Sequence, residues 1–345
     1  FINVPIFRDG YYYLGYYLSF DSSEKGYAIP DYYTIPALDI TENYNGELEV
    51  DVKLDKVVLI VGDITVTEEN AADILGDGTA NFDSTNGVLT LINANITADY
   101  TVYTNMLELK IAIPSGTSSK LTITPVKYRG NTGGIQAAKY LSIYGGGTLT
   151  IDGQMGVNAI NAGYYDDNYT VEISNITLNM PSSHTTGIMA NTGNLILDGV
   201  TISKTGVEDY GHLIVGKDIT IRNSTIDMSS NGSNLIWSSG GNISIADSNI
   251  DLVSELSTPA AFYSIFAEVG TIIVSGNTSI SITTNKTDVT TDGEIFVATN
   301  GITLNNNLGV SDGNDECEIY NNEYQTSIRC VGSNTYPAKI IIQNN

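Results

Sequence analysis

The 345-residue chain sets 15 Lys+Arg against 39 Asp+Glu, a net charge of −24, and 41% of its residues are apolar. That apolar share sustains a core and excludes a disordered chain. The acidity excludes nucleic acid and anionic membrane surfaces as partners and favours solubility and bound cations. No apolar run approaches the roughly 18 residues a membrane helix needs, so no membrane span is expected.

Residues 1–45 form a zone of their own. Nine of the 22 tyrosines lie here, including Tyr11, Tyr12, Tyr13, Tyr16 and Tyr17, with Pro5, Pro30 and Pro36 as breaks. The segment opens on Phe1, Ile2, Val4, Ile6 and Phe7, a β-prone run without a partner in the pattern that follows. It reads either as a cap over its own first coil or as an arm that docks on another copy, with the tyrosines filling the interface. The start at Phe1 rather than Met reads as a mature, processed form.

From residue 46 to the C-terminus the expectation is a solenoid. Leu59, Val61, Ile64 and Val66 follow a +2, +5, +7 spacing, as do Leu89, Leu91, Ala94 and Ile96. Leu107 to Ile113 reads as a strand stopped by Pro114, and Leu121/Ile123 and Leu141/Ile143 as others. The pattern becomes regular at Val171, Leu195, Ile219 and Ile243, which stand 24 residues apart. Each opens a pair of inward apolar residues, then a polar corner such as Ser174-Asn175 or Asp198-Gly199, then a second pair such as Ile176/Leu178 or Val200/Ile202. A shorter strand precedes each copy: Ile188/Ala190, Leu213/Val215 and Leu235/Trp237. Alternation through these pairs puts Trp237 in the core. The step widens beyond Ile243, with the extra residues in corner loops. Period-two strands at a fixed step of this size predict an all-β, right-handed parallel β-solenoid with a Tyr-rich N-terminal extension.

The run Asp73-Ile74-Leu75-Gly76-Asp77-Gly78-Thr79, then Gly87-Val88-Leu89-Thr90-Leu91, resembles the opening of a widespread group of bacterial and archaeal surface proteins. Gly146 to Gly153 (GGTLTIDG) and Gly187-Ile188-Met189-Ala190 are similar to the same group. Those proteins carry β-solenoid repeats and are described as adhesin-like or carbohydrate-binding. The resemblance covers about residues 57–300; it implies the fold and a surface location, and carries no catalytic motif.

The chain closes on Ile340-Ile341-Ile342, read as an apolar strand left open for another chain to extend. Cys317 and Cys330 are its only cysteines and form the candidate disulfide closing 311–345, which suits an oxidising, extracellular or cell-surface location. Eight Asn-x-Ser/Thr sequons are candidate N-glycan sites: Asn95, Asn168, Asn175, Asn223, Asn231, Asn242, Asn277 and Asn285. Asp312, Asp315 and Glu316 are a candidate calcium cluster without the full EF-hand spacing. No cofactor is required; calcium and N-linked glycans are the candidate additions.

Catalysis finds little support. A polysaccharide lyase or hydrolase of this shape needs clustered carboxylates and basic residues that grip a uronate. Asp166, Asp167 and His212 are the nearest approach, and Arg222 is the one arginine in the regular coils. Tyr164, Tyr165 and Tyr169 read as an exposed aromatic loop. Two functions remain: a structural subunit that assembles with itself into a filament, sheath or lattice, and an adhesin-like module that binds acidic polysaccharide, with calcium as the bridge. The chain reads as a non-enzyme in either case.

Overall fold

A computed structural model describes residues 58–345 apart from short stretches at 107, 125–132, 154–157, 163–168, 182–185, 191, 206–211, 231–234, 255–263, 285–295, 306–307, 312–316, 322–323, 331–338 and 345. Val58–Asn345 is one compact unit, and residues 1–57 lie outside the described residues. The expected N-terminal arm or cap therefore lies outside them too.

The alternation of inward apolar and outward polar residues is realised as three stacked sheets of 12, 10 and 10 strands. Each coil of the chain visits the first sheet, then the second, then the third. Val171, Leu195, Ile219 and Ile243 are in-register partners in the second sheet, so one 24-residue step is one coil. The second sheet runs in parallel from Val88–Leu91 through Thr170–Ser174 to Ile302–Leu304. The third runs in parallel from Asn95–Ala98 to Ser279–Thr284, and the parallel part of the first from Val102–Thr104 to Phe296–Ala298. This is a parallel β-solenoid. Its strands are all short and no helix occurs among the described residues; none, therefore, is long and apolar enough to cross a membrane.

The core is a bundle of inward columns. Leu195, Leu197, Ile221, Ile243, Ile245, Ile250 and Leu252 are fully buried. Each such side chain stabilises the fold by about 1.5–3 kcal/mol through burial. The corner between second and third sheets is tight because one residue per coil takes a left-handed conformation: Asn175, Gly199, Asn223, Asp247 and Gly276, with φ between 48° and 70°. Glycine and asparagine tolerate that region best, which explains the recurring Asn/Gly/Asp there. Behind it, hydroxyls replace the missing backbone partners. Ser224 Oγ accepts from Val200 N at 3.2 Å, and Ser248 Oγ from Ser224 N at 3.2 Å.

Both ends differ from the expectation. The +2, +5, +7 spacing at Leu59 to Val66 does not make a coil. Leu59–Val61 pairs antiparallel with Ile64–Thr65 on one side and with Val102–Thr104 on the other, and Ile64 is exposed. Gly62 and Asp63, both at positive φ, turn the chain too tightly for a solenoid corner. The second sheet begins with another antiparallel strand, Ala80–Asp83 on Val88–Leu91. At the far end, Lys339–Asn344 is no open edge. It lies between Ser279–Thr284 and Leu308–Ser311, antiparallel to both, with Ile340 and Ile342 buried. The first sheet ends on the antiparallel hairpin Cys317–Asn321 and Thr326–Cys330. Reversal of strand direction breaks the coil and caps these edges.

Candidate functional site

The outward columns separate the three faces. On the third sheet, Thr148, Thr177, Thr201, Thr225, Asn249 and Ser279 succeed one another. On the second, Ser142, Glu172, Thr220, Ser244 and Thr303 do, interrupted by Ile196 and Ile273. The first sheet is different: Asn161, Met189, Val215, Trp237, Phe266 and Val297 form its outward column. Met189, Trp237 and Phe266 are half-buried, and Val215 and Val297 are buried although they point away from the core.

Trp237 is therefore on the outer face, not in the core as alternation from Leu235 implied. The cause is a local break in the ladder. Leu213 N and Ile214 N both donate to Leu235 O, at 3.0 and 2.9 Å, and Leu235 N and Ile236 N both donate to Ser264 O. Two consecutive residues turn inward, Leu213 with Ile214 and Leu235 with Ile236, all buried. That extra inward residue moves every following side chain to the opposite face.

Trp237 is held from two sides. Its Nε1 donates to Glu268 Oε2 at 3.1 Å, and the His212 ring lies with its centroid 4.6 Å away at 49°. Three successive coils thus contribute an imidazole, an indole and an exposed carboxylate to one patch. The connections that enter this sheet are the long, uneven ones: Lys204 to Ile214, Ser254 to Ile265, Thr284 to Phe296. Corners between second and third sheets are short and uniform by comparison. In a solenoid, length variation gathered at one side marks the side where function varies.

The remaining expected residues are distributed as follows. Tyr169 is not an exposed loop residue. It is 1% exposed, its hydroxyl donates to Ala162 O at 3.0 Å and accepts from Thr192 N at 3.1 Å, and Gly193 leaves no room beyond its ring. Cys317 and Cys330 are directly opposed in their hairpin. Asn95, Asn175, Asn223, Asn242 and Asn277 are all exposed. Arg222 pairs with Asp198 of the preceding coil at 2.9 Å. Donation from Asn223 Nδ2 and then this guanidinium hold the Asp198 carboxyl below the usual carboxylate range. Tyr164, Tyr165, Asp166, Asp167, Asn168, Asn231, Asn285, Asp312, Asp315 and Glu316 lie outside the described residues. So do all the candidate assembly residues from Phe1 to Tyr17. Among the described residues no three His, Cys, Asp or Glu gather as a metal site.

Sequence reasoning missed two positions. Glu268 carried no signal, since a lone carboxylate in an acidic chain is unremarked. Lys204 is a lysine at an inward position, between Met180 and Met228 in register and 1% exposed. Its place two residues after inward Ile202 could have revealed it. No protein-family model, curated protein or solved structure matches the chain.

Proposed function

We propose that this chain is an extracellular or cell-surface β-solenoid that binds polysaccharide through the outer face of its first sheet, as an adhesin-like module without catalytic activity. The observation that carries this reading is the half-buried Trp237, fixed between His212 and Glu268 in an apolar outward column that the other two faces lack. A rigid indole packs against the C–H face of a sugar ring at low entropic cost. Glu268 accepts from hydroxyls beside it, and an acidic polysaccharide would need a bridging cation against a charge of −24. The test is a polysaccharide panel with and without calcium, comparing the parent with Trp237→Ala. Binding weakened about tenfold or more, a loss of about 1.4 kcal/mol, is expected with the circular dichroism unchanged. A parent that binds nothing on the panel, or a variant that binds equally well, would overturn it.

The cysteine pair belongs to the same proposal. Opposed residues of an antiparallel pair stand about 4.5–5.5 Å apart at Cα, inside the range a disulfide spans. Thiol labelling of unreduced native protein should add nothing, and two labels would contradict the pair. We take the winding to be right-handed, the hand that strand twist favours in parallel crossovers; an experimental map showing the other hand would correct it.

Self-assembly is the second reading. Ile302–Leu304 ends the second sheet with no further strand beside it among the described residues. Ile302, Leu308 and Val310 are 7–9% exposed, whereas equivalent core residues of central coils are at 0–1%. An unpaired edge over a less sealed core accepts another strand, and residues 1–20 are the segment to supply it. Negative-stain microscopy of the parent and of a chain lacking residues 1–20 tests this: polymers of the parent alone support it, and polymers of both exclude the arm.

A further inference from the structure

We propose that the ridge where the second sheet turns into the third is a line of N-glycan attachment, with Asn175, Asn223 and Asn277 as acceptors. The ridge is built from stacked left-handed corners, Asn175, Gly199, Asn223, Asp247 and Gly276, one per coil. Sequons fall on every second coil of this stack: Asn175-Ile176-Thr177, Asn223-Ser224-Thr225 and, one residue past Gly276, Asn277-Thr278-Ser279. Gly199 and Asp247 occupy the coils between. Coils are separated by about 4.8 Å, so neighbouring acceptors stand about 10 Å apart along the ridge. That spacing leaves each glycan a coil of clearance.

The three side chains are exposed, and each sits in a turn rather than within a strand. The two other described sequons differ. Asn95 lies inside the strand Asn95–Ala98. Asn242 borders the first sheet, and its Oδ1 accepts from Thr271 N and Oγ1, both at 2.9 Å. The ridge, by contrast, is the one corner that does not border the first sheet, so carbohydrate placed there leaves the Trp237 face clear.

The chemistry requires an oligosaccharide donor on a lipid pyrophosphate. The asparagine Nδ2 forms a bond to C1 of the first sugar as the C1–O bond to pyrophosphate breaks. The lipid pyrophosphate departs with the bonding pair, and one amide proton passes to a base of the transferring enzyme. Each linked Nδ2 keeps one N–H. At Asn223 that hydrogen can retain the 2.9 Å donation to Asp198 Oδ1, so modification does not dismantle the corner.

Glycopeptide mass spectrometry of the protein from its native source tests this, alongside Thr177→Ala, Thr225→Ala and Ser279→Ala expressed in the same source. These changes remove each sequon while leaving the left-handed residue in place, and circular dichroism checks that the coils persist. Glycans on all three ridge asparagines, with one glycan mass lost per substitution, are expected. Bare asparagines at all three positions, glycans confined to other sequons, or a triple variant that keeps its full carbohydrate mass would overturn the proposal.

Discussion

Lys204 offers the sharpest test of how the core is built. Its side chain enters a column otherwise occupied by Met180 and Met228. Nζ donates to Ser229 O at 3.3 Å. Burial pushes the ammonium pKa down from 10.5 to about 8. At about 1.4 kcal/mol per tenfold change, the folded chain disfavours the charged form by about 3 kcal/mol. Below pH 8 both folded and unfolded chains carry the proton, and the full penalty applies. Between pH 8 and 10.5 the folded chain releases it while the unfolded chain holds it, so stability rises with pH. Above 10.5 both are neutral and the penalty is gone. Lys204→Met places in this coil the residue its neighbours already use. The gain at pH 7 is the penalty less about 1 kcal/mol for the lost hydrogen bond, or about 2 kcal/mol. Urea unfolding at pH 7 and at pH 10, followed by circular dichroism, measures the difference between variant and parent. The advantage should be large at pH 7 and shrink toward pH 10. A variant no more stable than the parent at pH 7, or an advantage unchanged by pH, would refute the reasoning.

Other expectations concern the coil itself. Ile221→Ala, in the middle of the stack, should cost about 2–5 kcal/mol in urea unfolding. Ser248→Ala leaves the buried Ser224 N–H without its acceptor and should cost about 1–3 kcal/mol by the same measure. At the left-handed corner, Gly199→Val should destabilise by about 1–2 kcal/mol more than Gly199→Asn, because asparagine already serves at the equivalent Asn175 and Asn223. Reducing the proposed Cys317–Cys330 bond should lower stability by about 3 kcal/mol, read as a lower thermal midpoint in reductant than without it.

The central coils were legible because their periodicity is local. Val171 to Leu252 states the inward columns of its second and third sheets, and the polar gaps between the apolar pairs announce corners, since both follow from side-chain alternation and turn chemistry; that these corners are left-handed came only with the structure. The sheet ends were not. Leu59, Val61, Ile64 and Val66 carry the same spacing as a true coil, yet pair antiparallel, because strand direction depends on which distant strand lies alongside. The terminal Ile340 to Ile342 reads as an open edge for the same reason; only pairing with Leu308–Ser311 and Ser279–Thr284 closes it. Trp237 shows how little separates the two outcomes. A pair of adjacent N–H groups sharing Ser264 O moves it from core to surface, and nothing in Leu235-Ile236-Trp237 marks which of the first two begins the strand. Tyr169, buried by bonds to Ala162 and Thr192, and Arg222, paired with a coil it does not belong to, complete the pattern. Alternation specifies which residues face inward within a strand, but register, strand direction and side-chain partners are set between strands, where the physics is that of contacts across coils.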